Sequence, residues 1–198
     1  FTYEYNSGTS SWDLIGEQSH NDGSTNASAQ APSNVSIIGT NSGDLLGMDC
    51  DINYNGDKIA CASYAISLIR VYSYNSGTDK WEQYGNDISR TSSHRFGYHI
   101  KMNKAGNRVA GLTREGDYAA VYEYNTGNSQ WELMGTDSTW IYGGGGGLLP
   151  IHTLDSFTLR DICLNEAGDI VTISNSNNNA VNIFKWNGSN AWTKIANT

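Results

Sequence analysis

The sequence has no long apolar run and no amphipathic stripe. No stretch approaches the roughly 20 apolar residues that a membrane-spanning helix needs. No window places its apolar side chains at the spacing of three and four that marks a helix face. Basic residues are also scarce, with 12 Lys and Arg against 20 Asp and Glu. We therefore expect almost no helix, no membrane insertion and no nucleic-acid surface, which would need a basic patch.

Motifs of common catalytic sites are absent as well. The chain has no Gly-x-Ser-x-Gly elbow, and its glycine run at 143–147 lacks the Lys-Ser/Thr of a phosphate-binding loop. No zinc-type spacing relates cysteines to the four histidines, which are His20, His94, His99 and His152. The sequence does not exclude a pair of carboxylates of the kind that cleaves glycosides. We predict no catalytic residues, no cofactor and no enzymatic activity.

What the chain does contain is a repeat. An alternating strand, a polar turn and a short strand with tryptophan near its start occur four times, at 3–16, 71–85, 121–135 and 181–192. The 12 Tyr and 6 Trp favour strands, and the clusters of Gly, Asn and Ser favour turns. The last three copies are preceded by two further predicted strands joined by a turn. The aligned asparagines at these three turns are Asn53, Asn103 and Asn165, one in each repeat.

Four short strands in each repeat of roughly 40–50 residues are typical of a β-propeller. We predict an all-β fold, a β-propeller of four-stranded antiparallel blades, with about three and a half blades in residues 1–198. The blades are 44–88, 94–136 and 155–195, and 1–16 is a half blade. Residues 17–43 form an inserted loop and 139–153 a glycine-rich insertion. The incomplete count indicates an excerpt of a larger propeller.

Aromatic residues recur at period two in each repeat. The pairs are Tyr72/Tyr74, Tyr122/Tyr124 and Phe184/Trp186. Because they return in the same register, we expect them to fill the space between blades. The alternative is a platform for stacking sugars.

Part of the repeat resembles a known family. Phe96-Gly97, the segment Gly106–Gly111 and Val121–Tyr124 are similar to the FG-GAP propeller repeats of integrin α-chain heads, although the Gly-Ala-Pro element is missing. The resemblance covers about residues 44–195. It implies a propeller of a secreted or cell-surface protein. It also implies calcium in a hairpin loop, for which the first hairpin offers Asp49, Asp51, Asn53, Asn55 and Asp57.

That calcium loop is incomplete, because Ile59 and Ala62 occupy the places where a closing acidic ligand is expected. The same hairpin carries a cysteine pair. If Ile52 pairs with Ile59, Cys50 lies directly opposite Cys61, close enough for a disulfide. The alternative is two small buried hydrophobic side chains. Cys163 would remain a free thiol.

These observations favour a non-catalytic structural or adhesive module, extracellular or at the cell surface, that binds other protein subunits or copies of itself. Sequons at Asn26, Asn34 and Asn187 fit that location. The alternative is a lectin-like propeller whose glycan site uses Trp140 and Tyr142 in the second insertion. A third hypothesis is a glycan-active hydrolase whose site is completed by further blades.

Overall fold

The computed structural model describes residues 2–15, 37, 43–90, 95–113, 118–135, 159–175 and 180–195. Every regular element in these ranges is a β-strand. The strands are β1 Thr2–Asn6, β2 Ser11–Ile15, β3 Asp49–Ile52, β4 Lys58–Ser63, β5 Leu68–Asn75, β6 Lys80–Gln83, β7 Ile88–Ser89, β8 Phe96–Met102, β9 Arg108–Thr113, β10 Ala119–Asn125, β11 Gln130–Leu133, β12 Leu159–Leu164, β13 Ile170–Asn175, β14 Ala180–Trp186 and β15 Trp192–Lys194. No helix in this part of the chain is long and apolar enough to cross a membrane.

The strands form three sheets and one hairpin. Sheet 1 is β3-β4-β5-β6, with the short β7 paired to β5; sheet 2 is β8 to β11; sheet 3 is β12 to β15; and β1 pairs with β2 alone. Neighbouring strands in each sheet are antiparallel. The predicted four-stranded units are therefore confirmed. The strand β7 was missed because two residues are too few to show alternation.

The hairpin that opens each sheet is fixed by its asparagine. The side-chain oxygens of Asn53, Asn103 and Asn165 each accept a hydrogen bond at 2.9 Å from the backbone N–H five residues later. The glycine three residues after each asparagine has a φ of 73°, 69° or 74°. A positive φ favours glycine over residues with a Cβ. This turn chemistry explains why the repeats stay in register.

Two apolar cores lie between the sheets. One joins Ile69 and Val71 of sheet 1 to Phe96 and Trp131 of sheet 2, and the other joins sheet 2 to sheet 3. Strand β8 contacts both β3 and β12, so these three first strands lie at the inner side of the stack. Sheets stacked face to face around their first strands are the blades of a β-propeller.

The recurrent aromatic residues take part in these cores. Tyr122 is 8% exposed, Trp131 4% and Phe184 2%. Tyr84 also stacks on Tyr124 across the first interface, with ring centroids 4.0 Å apart. Packing between blades is therefore confirmed for these side chains.

Candidate functional site

The inner strands place different side chains at equivalent positions. Four residues before the turn asparagine stand Asp49, His99 and Asp161, and two residues before it stand Asp51, Lys101 and Cys163. Within a strand, residues two apart share a face. Each inner strand thus presents two polar or ionisable side chains on one face, and their identity changes from sheet to sheet.

In sheet 1 both side chains are aspartates that reach the next sheet. Asp49 Oδ2 accepts a hydrogen bond from Ile100 N at 2.8 Å, and Asp51 Oδ2 accepts one from Met102 N at 2.7 Å. The other oxygen of each carboxylate accepts the N–H of its own next residue at 3.0 Å. Hydrogen bonds from N–H groups to an ionised carboxylate are stronger than neutral ones. These carboxylates therefore hold the free edge of β8 against sheet 1.

In sheet 2 the equivalent position brings an imidazole to one of these carboxylates. His99 Nδ1 lies 3.5 Å from Asp49 Oδ2, and both side chains are partly exposed, at 37% and 24%. The ring of Tyr98 packs edge-on against the imidazole at 4.7 Å. Lys101 projects from the same face of β8, two residues further on. A carboxylate beside Nδ1 favours the tautomer whose Nε2 can accept a proton.

In sheet 3 the corresponding side chains face solvent. Asp161 Oδ1 accepts the N–H of Ile162 at 2.8 Å, as the two aspartates of sheet 1 do with their own neighbours. Asp161 and Cys163 are both exposed. The ionisable side chains at these equivalent positions of the inner strands are thus Asp49, Asp51, His99, Lys101, Asp161 and Cys163.

The predicted calcium ligands are not gathered around one point. Asp49 and Asp51 bind β8, whereas Asn53 Nδ2 donates to Asp57 Oδ1 at 2.6 Å, and Lys58 Nζ lies 3.2 Å from Asp57 Oδ2. The described residues contain no cluster of three or more His, Cys, Asp or Glu that could hold a metal. These hydrogen bonds engage Asp49 and Asp51 in a contact with the next sheet, and Asn53 and Asp57 within the turn. Asn55 is exposed. Calcium binding stays a prediction.

The predicted strand register that places the two cysteines opposite each other is confirmed, and both cysteines are free thiols in this structure. Cys50 lies opposite Cys61 in the β3–β4 register. Cys50 is exposed, whereas burial raises the pKa of the Cys61 thiol to about 12. A disulfide between Cys50 and Cys61 remains a prediction. Cys163 is a free, exposed thiol in this structure.

The other predicted site residues are mostly outside the described ranges. The residues outside the described ranges are Asn26, Asn34, Trp140 and Tyr142. Asn187 is exposed in the β14–β15 turn, where its side-chain oxygen accepts the N–H of Ser189 at 2.9 Å.

A groove at the outer rim separates β10 and β11 from the end of sheet 3. It has a volume of about 480 Å³ and is lined by residues that include Glu123, Glu132, Trp186 and Asn190. Its acidic groups are engaged: Glu123 accepts from Arg108 at 2.8 Å, and Glu132 accepts from Asn128 at 2.7 Å. The groove therefore follows from the packing of the rim, and we do not place the functional site there.

No family model and no curated protein matches the chain. Similar solved structures do exist. A protein from Bacteroides fragilis named a "putative 6-phosphogluconolactonase" has a TM-score of 0.51 and 14% identity, over 74% of this chain and 37% of that one. A protein from Lactobacillus plantarum has a TM-score of 0.54 and 13% identity, over 83% and 44%. A functionally unknown protein from Desulfotomaculum acetoxidans has a TM-score of 0.51 and 14% identity, over 83% and 44%. The chain spans less than half the length of each.

At this identity the comparisons show the fold, a β-propeller, and not the FG-GAP type in particular. They also correct two predictions made from the sequence. The non-catalytic structural or adhesive module is contradicted, and so is the absence of enzymatic activity, because a neighbour of the same fold is named a lactonase. The reason is physical. The residues behind the resemblance pack between sheets or form turns, and that structural role carries no information on the chemistry of the polar side chains of the inner strands.

Proposed function

We propose that this chain forms part of a propeller hydrolase that opens sugar lactones. The observation that carries the proposal is the Asp49–His99 pair on adjacent inner strands, with His99 Nδ1 3.5 Å from Asp49 Oδ2. The name of the Bacteroides fragilis neighbour supports the substrate class. Because this chain spans 37% of that neighbour, the proposal assigns it one part of the site.

Hydrolysis of a lactone needs a base for water and a positive group for the oxyanion. His99 Nε2 takes a proton from water as the water oxygen adds to the lactone carbonyl carbon. The tetrahedral intermediate then breaks the bond between that carbon and the ring oxygen, which takes the proton back from the imidazolium. The product is the open-chain hydroxy acid. Asp49 positions the imidazole, with Nδ1 towards the carboxylate and Nε2 towards the water.

Lys101 is proposed as the positive group. It lies on the face of β8 that carries His99, and its ammonium would attract the negative charge that develops on the carbonyl oxygen. Asp51 has a different part in the proposal. It binds Met102 N as Asp49 binds Ile100 N, but no ion pair links it to an imidazole among the residues that the structure describes. Asp51 is therefore the matched control for Asp49.

The experiment is a pH-stat assay of gluconolactone and 6-phosphogluconolactone hydrolysis, corrected for spontaneous opening. Removing a general base lowers kcat by about 100-fold or more, so His99→Gln should have that effect. Asp49→Asn should lower kcat and alter its pH profile, while Asp51→Asn should change kcat by less than about threefold, since it disturbs only the shared contact to β8. The proposal would be excluded if the His99→Gln variant hydrolysed the lactones as fast as the wild type. It would also be excluded if the wild type showed no hydrolysis above the spontaneous background.

Two narrower statements are proposals as well. An FG-GAP-type repeat is supported by Phe96-Gly97 and Gly106–Gly111. An extracellular or surface location is supported by the sequon at Asn187, which is exposed in its turn.

A further inference from the structure

A bulge at the beginning of strand β8 places an aromatic ring beside His99. The pairing of β8 with β9 shifts between Phe96 and His99, which leaves Gly97 and Tyr98 between the two paired positions. The ring of Tyr98 packs edge-on against the imidazole of His99, with centroids 4.7 Å apart. Bulges re-aim the side chains around them and are common beside active sites. We therefore include this bulge in the candidate site.

Tyr98 also joins His99 to a loop of sheet 1. Its ring packs edge-on against that of Tyr64, which lies between β4 and β5, with centroids 5.9 Å apart. The guanidinium of Arg95 lies over the Tyr64 ring, with Cζ 5.8 Å from the centroid. Arg95, Tyr64 and Tyr98 are all only partly buried. A row of contacts that solvent can reach thus leads from the imidazole to a guanidinium.

Arg95 departs from the repeat at a position whose backbone is kept. Eight residues before the turn asparagine stand Leu45 in sheet 1 and Arg95 in sheet 2, with φ values of 54° and 59°. Both sheets therefore use the same left-handed backbone here, although it is unfavourable for residues with a Cβ. Since a leucine serves the position in sheet 1, the backbone conformation does not require a guanidinium. The charge of Arg95 needs another reason.

We propose that Arg95 determines substrate specificity by binding the phosphate of a phosphorylated sugar lactone while His99 acts at its carbonyl. This inference rests on the function proposed above. Arginine binds phosphate oxygens through two parallel N–H groups, and its five donors allow this beside its contacts within the protein. Arg95 precedes His99 by four residues, so their Cα atoms are at most about 13 Å apart. The two side chains can therefore contact opposite ends of one sugar.

Tyr64 is the positioning residue for this guanidinium. A cation over an aromatic ring is attracted by the negative face of the ring, and a planar guanidinium stacks there while its edge donors point away. Tyr64→Phe keeps the ring and should leave the preference for a phosphorylated lactone within about threefold of the wild type. Tyr64→Leu removes the ring and should weaken that preference, by less than the loss of Arg95 itself.

Rates with 6-phosphogluconolactone and gluconolactone test the proposal, because the two lactones differ by the phosphate. The wild type should have the higher kcat/KM for the phosphorylated lactone. Arg95→Gln should lower that value by about 10- to 100-fold, mainly through KM, as expected for lost hydrogen bonds to a charged group. Its kcat/KM for gluconolactone should change by less than about threefold, which also shows that the variant is folded.

Arg70→Gln is the matched control. It removes the same charge from a guanidinium that donates to Asp87 at 2.7 Å, and it should leave the ratio of the two kcat/KM values unchanged. Equal kcat/KM for both lactones in the wild type, or an equal loss for both in Arg95→Gln, would overturn this inference while the lactonase proposal stands. No hydrolysis of either lactone by the wild type would overturn both.

Discussion

The outer rim and the inner strands of the same three sheets obey different rules. At the rim, the repeat is kept: an aromatic pair lies 5.4 Å apart in every sheet, as Tyr74–Trp81, Tyr124–Trp131 and Trp186–Trp192. At the inner strands, the equivalent positions change from aspartate to histidine and back to aspartate. The rim residues make the same aromatic contact in every sheet. The polar contacts between neighbouring inner strands differ from one interface to the next.

This difference separates residues that fold the chain from residues that can do chemistry. A side chain that repeats in every sheet is explained by packing between sheets. A side chain that breaks the repeat needs another reason, and His99 beside Asp49 is such a case. The comparison predicts that rim substitutions change stability and that substitutions of the Asp49–His99 pair change activity.

The largest expected effect is at the rim. Trp131 is 4% exposed and packs between sheets 1 and 2, whereas Trp12 is 67% exposed. Trp131→Ala should lower the free energy of unfolding by about 3–5 kcal/mol, because it leaves a cavity. Trp12→Ala should lower it by less than about 1 kcal/mol. Urea denaturation followed by circular dichroism measures both, and equal losses would contradict the assignment of Trp131 to an interface.

A smaller effect is expected at Gly85, where the rim approaches most closely. Its φ is +84°, and a Cβ there would lie 2.8 Å from Trp131 Cδ1 and 3.0 Å from Tyr124 Cε2. Gly85→Ala should cost about 2–4 kcal/mol, from backbone strain and overpacking together. Gly188 separates the two causes, because its φ is +88° and nothing lies within 4 Å of its Cβ position.

Gly188→Ala should therefore cost only about 1 kcal/mol, the strain alone. The same denaturation experiment measures both glycine variants. If Gly188→Ala proves as destabilising as Gly85→Ala, close packing at the rim is not the reason for glycine at 85.

Much of this architecture could be predicted from the sequence, since it is local. Alternation and turn asparagines such as Asn53 determine strands and hairpins within one repeat, and so the pairing of Cys50 with Cys61 was predictable. The Asp49–His99 pair was not, because the two residues belong to different sheets and meet only through packing between blades. A signal did exist: aligning the repeats on their turn asparagines shows that His99 replaces an aspartate.

The smallest expected effect concerns an ion pair outside the inner strands. Arg70 Nε donates to Asp87 Oδ1 at 2.7 Å and Arg70 Nη2 to Asp87 Oδ2 at 2.5 Å, and these hydrogen bonds hold the pKa of Asp87 below its usual value. A carboxyl whose pKa is lowered by folding stabilises the protein above its unfolded pKa, about 3.9, and that contribution is lost as the pH falls through the lower, folded value.

Asp87→Asn should therefore destabilise the protein at pH 7 by less than about 1 kcal/mol, since the Asp87 side chain is 37% exposed and its charge is screened. The deficit should shrink as the pH is lowered below about 4, where the wild-type carboxylate also loses its charge. Arg70→Gln should remove the same pH-dependent part. Denaturation midpoints at pH 7, 5, 4 and 3 measure it, and a deficit that grows towards low pH would reverse the assignment.

Lactone hydrolysis by Asp87→Asn should match the wild type, because this acid lies outside the inner strands. Loss of hydrolysis in this variant would contradict the division between residues of the rim and residues of the inner strands.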